Sequence, residues 1–264
     1  SEIVFNELRN TGVDFRMGVV PHVSNDITRG AGNGGVLRGA GFLLSTERQA
    51  FIDALNDTTS NDGCEFGLEA ASNAVRRALP RSAATVVDRA KLRDDATLAV
   101  VYISDEFPQE LTRSQNQVCP RAPSGSYTTP CATGILDNYN DAFAAGTVCA
   151  VQPSAAQLTC IDGIVQPYID QIRDNGGVAF GQIVLPSPTS QTCYAYSCDG
   201  GVTHNNEPGR GYAEVVARLG GTTYSPCNAN PGTALQAIIR ADAGASSEFV
   251  LTGTPISSSI KVGI

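Results

Sequence analysis

A chain of 264 residues and 27.5 kDa is long enough for one large α/β domain, or for a domain of ordinary size carrying long insertions. Its 42% hydrophobic and 17% charged content is that of a globular chain, and nowhere do 18 apolar residues run together, which excludes a helical membrane span. With 26 acidic against 18 basic residues and a net charge of −8, the surface repels phosphate backbones, which excludes nucleic acid as an expected partner.

The chain opens on a helical pattern over 1–11, with Ile3, Val4 and Leu8 on one face and Gly12 at the C-cap position. Residues 13–20 then alternate Val13, Phe15, Met17 and Val19 with Asp14 and Arg16, the period of a strand. A Gly/Asn-rich turn around Asn33-Gly34-Gly35 leads to a second short strand over 37–44, and the pair reads as a hairpin. Thr46 and Gln49 stand at capping-box spacing before a helix that runs to about Asn56. A second helix is predicted over 64–79, with Leu68, Ala71, Val75, Ala78 and Leu79 at three- and four-residue spacing and Pro80 as its stop.

Thr97-Leu-Ala-Val-Val-Tyr-Ile-Ser104 is a continuous apolar run that ends on Asp105-Glu106. A run of this kind is a buried parallel strand, and its carboxyl end is where open α/β sheets bind ligands. About sixty residues without a strong period follow, over 105–166. A helix is predicted over 167–174, opened by Pro167, then a buried strand over 177–185 and a second loop over 186–208. The pattern continues with a helix over 212–219 closed by Gly220, a short strand near 222–224, and a helix from Asn230-Pro231 to about Ala241. Terminal strands are predicted at 249–251 and 260–264. Helices alternating with apolar strands predict an α/β fold with a doubly wound, mostly parallel sheet and helices on both faces. If the strands ending at Ser104 and near Leu185 are parallel neighbours, both long loops emerge at one carboxyl edge, around Asp105.

Eight cysteines, Cys64, Cys119, Cys131, Cys149, Cys160, Cys193, Cys198 and Cys227, fall mostly in Pro/Gly/Ser/Thr-rich stretches. An even number so placed points to disulfides and an oxidising, secreted or cell-surface location. Zinc is the weaker alternative, because no C-x-x-C occurs and His22 and His204 stand far from any paired-thiol spacing. Cys193 with Cys198, and Cys119 with Cys131 or Cys149 with Cys160, are local pairings the spacing allows. The remaining connectivity is open.

Gly-Val-Asp-Phe-Arg-Met-Gly-Val-Val at 12–20, Gly-Cys-Glu-Phe-Gly-Leu-Glu-Ala-Ala at 63–71 and Ala-Val-Val-Tyr-Ile-Ser-Asp-Glu at 99–106 together resemble a von Willebrand factor A domain. The likeness is to bacterial secreted and lipoprotein forms with a late Gly-Gly and Cys, here Gly220, Gly221 and Cys227. It covers 1–243, leaving 244–264 as terminal strands that open a following β module. The resemblance implies a metal-ion-dependent adhesion site for a divalent cation, Mg²⁺ or Ca²⁺. Asp105 matches the family's aspartate after the fourth strand. Asp62 stands at the family's threonine position, and Glu65 is an alternative oxygen donor in the same turn. The family's Asp-x-Ser-x-Ser is absent, and would fall upstream of residue 1.

Two readings of Asp62 and Glu65 stand side by side, since their spacing also suits an N-cap and its N3 partner. Glu106, Tyr127, Tyr194 and Tyr196 are candidate partner contacts. Asp105 and Glu106 as a merely solvated strand end, and the tyrosines as covers over loop apolar groups, are the plainer alternatives. His22 and His204 read as exposed loop residues with no motif-spaced nucleophile. The expected function is a non-enzymatic, extracellular adhesion or protein-interaction domain, its partner another protein or a second copy. A structural subunit of a surface assembly, completed by a strand from another polypeptide, is the alternative. A metal-dependent hydrolase ranks third, because no base, nucleophile or full ligand set is visible.

Overall fold

The computed structural model describes residues 14–22, 34–57, 66–104, 108–111, 155–183 and 209–224, together with positions 5, 6, 8, 9 and 12. The architecture they form is mixed α/β, built on a three-stranded parallel sheet. Its strands are β3 (Leu98–Ser104), β4 (Gly177–Ile183) and β5 (Thr223–Tyr224), in the order β3-β4-β5. β3 and β4 are parallel neighbours paired over their whole length, from Leu98 opposite Gly177 to Ser104 opposite Ile183. The expected adjacency of the two apolar strands therefore holds, and their carboxyl ends are level.

A smaller antiparallel pair, β1 (Arg16–Met17) with β2 (Leu43–Leu44), matches the expected hairpin but is only two residues long on each side. Helix α1 (Arg48–Asn56) follows it. Its N-cap is Glu47, so the predicted Thr46 capping box does not form; Glu47 instead accepts the Leu44 N–H at 2.9 Å and a bidentate bond from Arg89 at 2.8 Å. Those bonds hold the Glu47 carboxyl below its ordinary range. Phe5, Phe15, Leu43, Phe51 and Ala54 make the apolar cluster under this unit, with Phe5 and Phe15 edge to face at 5.5 Å. At the amino end, Phe5, Asn6, Leu8 and Arg9 are helical and Gly12 has a φ of 71°, as its predicted C-cap role requires.

Arginines tie the segment between Pro80 and Thr97 to the rest of the chain. Arg81 donates to the carbonyls of Ala96 at 2.8 Å and Asn175 at 2.6 Å, and Arg93 pairs with Asp14. Arg16 reaches the carbonyls of Asp88 and Val86, each at 3.2 Å.

Helix α2 (Gly67–Arg77) lies within the predicted span, beginning three residues later than expected. Helix α3 (Ala155–Arg173) corrects the sequence reading, which began a helix at Pro167 and left 105–166 as loop. Pro167 lies inside α3 with its ring exposed, and Ile161, Ile164, Val165, Ile169 and Ile172 run through it as one buried stripe. Proline suits a first turn better than a helix interior, where it leaves the carbonyl four residues back, here that of Gly163, without its donor. The continuous apolar stripe outweighs that cost. Helix α4 (Tyr212–Arg218) ends as expected, with Gly220 at a φ of 74°. α3 packs against α2, α4 and β4, and with Leu68, Tyr102, Tyr212 and Val216 it forms the main core. Among the described residues no helix is long and apolar enough to cross a membrane. The predicted helix at 230–241 and strands at 249–251 and 260–264 lie outside the described residues.

Two glycines separate backbone strain from steric overlap. A Cβ on Gly221 would stand 1.6 Å from the Ala179 carbonyl oxygen, whereas one on Gly176, at a φ of 67°, would meet nothing within 4 Å. Gly176→Ala is expected to lose about 1–2 kcal/mol, the cost of a left-handed alanine, and Gly221→Ala about 3 kcal/mol or more, since backbone must move. Urea denaturation of both variants checks this ranking, and equal losses would contradict it.

Candidate functional site

Four chain segments meet at the carboxyl end of the parallel sheet. They are the end of β3 at Ser104, the 3₁₀ turn Gln109–Leu111, the first turn of α2, and the turn 209–212 that opens α4. Close approaches hold them together. A Cβ on Gly211 would fall 2.7 Å from Pro108, and one on Gly209 would fall 2.9 Å from the Ile183 side chain at the end of β4. One on Gly67 would fall 2.1 Å from the Tyr212 hydroxyl oxygen. Only glycine lets Tyr212 lie across the start of α2 in this way. Tyr212 is fully buried, its ring 4.9 Å from that of Tyr102 and 6.1 Å from that of His22.

The start of α2 has an unusual cap. Its N-cap residue is Phe66, which offers no side-chain acceptor. Glu110, from the 3₁₀ turn, supplies one instead, its Oε1 accepting the Glu69 N–H at 2.6 Å. Glu69 is the third helical residue, so a residue 41 positions along the chain does what an N-cap side chain ordinarily does. The predicted capping role of Asp62, for a helix expected over 64–79, is therefore replaced. The helix starts at Gly67 and draws its cap from Glu110.

This joint is acidic and buried. Glu110 is 3% exposed and Glu69 7%, and Glu110 Oε2, Glu69 Oε2 and the Tyr102 hydroxyl have no hydrogen-bond partner among the described residues. Burial pushes the Glu110 carboxyl up to about 8, although the N–H groups of Glu69 and Leu68 favour its charged form. Burial also raises Glu69, with the Asn73 amide and the Arg76 charge pulling the other way. Tyr102 is raised as well, by burial and then by the Glu110 charge. An acid kept neutral in such a setting can hold two segments together without a counter-ion.

The sequence-predicted site residues bracket this hub. Asp105 and Glu106 follow directly on Ser104, and Asp62 and Glu65 precede Phe66, but all four lie outside the described residues. Tyr127, Tyr194 and Tyr196 lie outside them too, as do all eight cysteine side chains; Cys160 is described only as backbone in α3. His22 is corrected. It is half-buried beside Tyr212, and its carbonyl accepts the Phe66 N–H at 3.1 Å. Glu69, Glu110, Tyr102 and Tyr212 were not singled out by sequence. The available signal was a lone acid, Glu110, between Pro108 and Leu111, and a tyrosine within an otherwise aliphatic strand.

No family model, curated protein or solved structure matches this chain. The site is therefore read from its own chemistry. Among the described residues no group of three or more His, Cys, Asp or Glu side chains is set to hold a metal ion. What they offer is a frame on which flanking chain converges. The segments 58–65, 105–107, 112–154 and 184–208 each begin or end at this hub.

The Gly67 and Tyr212 contact tests that frame. Gly67→Ala is expected to lose about 1–3 kcal/mol through overpacking. Adding Tyr212→Phe should recover part of the loss, because the atom nearest the new methyl is removed. A double-mutant cycle in urea measures the coupling, and strict additivity would contradict direct contact.

Proposed function

We propose that this chain is a von Willebrand A-like, extracellular or cell-surface adhesion domain that engages a protein partner at the carboxyl edge of its parallel sheet. The observation that carries the reading is the Glu110 to Glu69 bond. It ties the segment that follows Asp105 to the helix that follows Asp62 and Glu65. Carboxylates are hard oxygen donors suited to Mg²⁺ or Ca²⁺, and a shell left incomplete by the chain leaves positions for a partner's carboxylate. Asp105 would be the principal ligand, Asp62 and Glu65 its companions, and Glu106, Tyr127, Tyr194 and Tyr196 the surrounding contacts. Helices on both faces of a doubly wound sheet, and disulfides stapling the segments around the edge, complete this reading.

The reading makes a direct demand on Asp105. A cation at about 100 times its Kd should stabilise the folded chain by about 2.7 kcal/mol. Asp105→Ala should abolish both that gain and any EDTA-sensitive partner binding. Thermal unfolding with and without Mg²⁺ or Ca²⁺ checks it, and an unchanged response in the variant would sink the metal-dependent version.

A second reading, a structural subunit completed by a strand from another polypeptide, is favoured by β3 itself. Among the described residues β3 pairs only with β4, and it carries no charge or proline. Its Ile103 is 50% exposed and Val101 is also exposed. Natural edge strands are usually blunted by charge or proline, whereas this one resembles a strand meant to be covered. Concentration-dependent association in sedimentation, lost in Ile103→Lys, is the expected result. Monomer behaviour at all concentrations would rule this reading out.

A further inference from the structure

Glu110 lies at 3% exposure on a 3₁₀ turn, and its bond to the Glu69 N–H is a polar link between that turn and α2. Among the described residues, the groups facing it from each packed element supply no compensating positive charge. α2 presents Glu69, with Arg76 acting on Glu69 from two turns further along. β3 presents the Tyr102 hydroxyl, and the start of α4 presents Tyr212. α3 contributes Ile161, Ile164 and Val165 to the same core, with Tyr168 half-buried against it. Arg210, the nearest basic residue on the α4 turn, is paired with Glu214 at 3.1 Å.

We propose that Glu110 is a proton-operated latch, whose neutral form pins the segment following β3 to the first turn of α2 and whose ionisation releases that joint. The neutral acid still accepts the Glu69 N–H through Oε1, so the bond survives protonation. The ionised acid would place a second buried charge against Glu69 with no cation among the described residues to answer it, and water offers it better solvation than the core does.

The direction in pH follows from linkage. An ordinary glutamate titrates near 4.5, and this one is raised to about 8 in the closed joint. Between those values the closed joint keeps its proton while an opened joint loses it. The latch is therefore tightest at and below the lower value, loosens steadily as pH rises, and levels off above about 8. Acidification tightens the link between the chain carrying Asp105 and Glu106 and the chain carrying Asp62 and Glu65, and alkalinity loosens it.

Amide hydrogen exchange of the intact chain tests the latch. After correction for intrinsic rates, protection of the Leu68 and Glu69 amides should fall by about tenfold per pH unit between about pH 5 and pH 8, the limit for one linked proton. The Phe51 amide, in the separate apolar cluster, should stay level. In Glu110→Gln, which keeps the acceptor oxygen and has no proton to lose, the Leu68 and Glu69 profile should be flat. Glu69→Gln removes the opposing charge and should move the levelling-off point to lower pH. The side-chain carboxyl ¹³C shift of Glu110 in the wild-type chain, which needs no variant to fold, should titrate near 8. A flat wild-type profile, a slope that persists in Glu110→Gln, or a Glu110 carboxyl titrating at its ordinary value would each overturn the proposal.

Discussion

The seven-residue parallel pairing of β3 with β4 is the constraint on which the rest of the described fold depends. A parallel pair cannot be closed by a tight turn and needs a crossover, so the chain between Ser104 and Gly177 must return along the sheet. α3 makes that return, burying Ile161, Ile164, Val165, Ile169 and Ile172. Because Ser104 stands opposite Ile183, the segments leaving both strands start at the same level. Everything at the carboxyl edge follows from that register. A slip of one residue would turn Tyr102 out of the core and Ile103 into it.

At that edge the fold solves one problem by making another. The first turn of any helix carries N–H groups without internal partners. α2 has no usable side chain at its own N-cap, and the partner comes from Glu110, which must then be buried in an apolar core beside a second acid. The result is a polar joint inside a buried region, whose geometry is fixed by three close-packed glycines at 67, 209 and 211. Burial outweighs the N–H bonds in setting the protonation of Glu110, which keeps its proton up to about 8 where an ordinary cap would be charged.

Much of this scaffold was legible in the sequence because it rests on local periodicity. The apolar run before Asp105, the amphipathic spacing of α2 and the Gly220 stop of α4 each carry their own signal, and each lies within two or three residues of its expected bounds. The start of α3 was not legible, because a proline normally opens a helix and Pro167 offered that simpler reading. The cap of α2 was hidden for a different reason. Asp62 had the right spacing in sequence, but the acceptor came from 41 residues away, and no local pattern encodes a contact of that range. The candidate ligand residues Asp105, Asp62 and Glu65 were legible only through a resemblance in short motifs. What the fold adds is that the chain flanking them is drawn to one place.

An NMR titration of the chain with Mg²⁺ or Ca²⁺ tests that convergence most directly. The account predicts amide shift changes concentrated at the end of β3 around Ser104, at Phe66 to Glu69 in the first turn of α2, and at Ile183, with little change in α1 or the β1-β2 pair. Shifts centred elsewhere, or none at saturating cation, would contradict a metal-dependent site at the sheet edge.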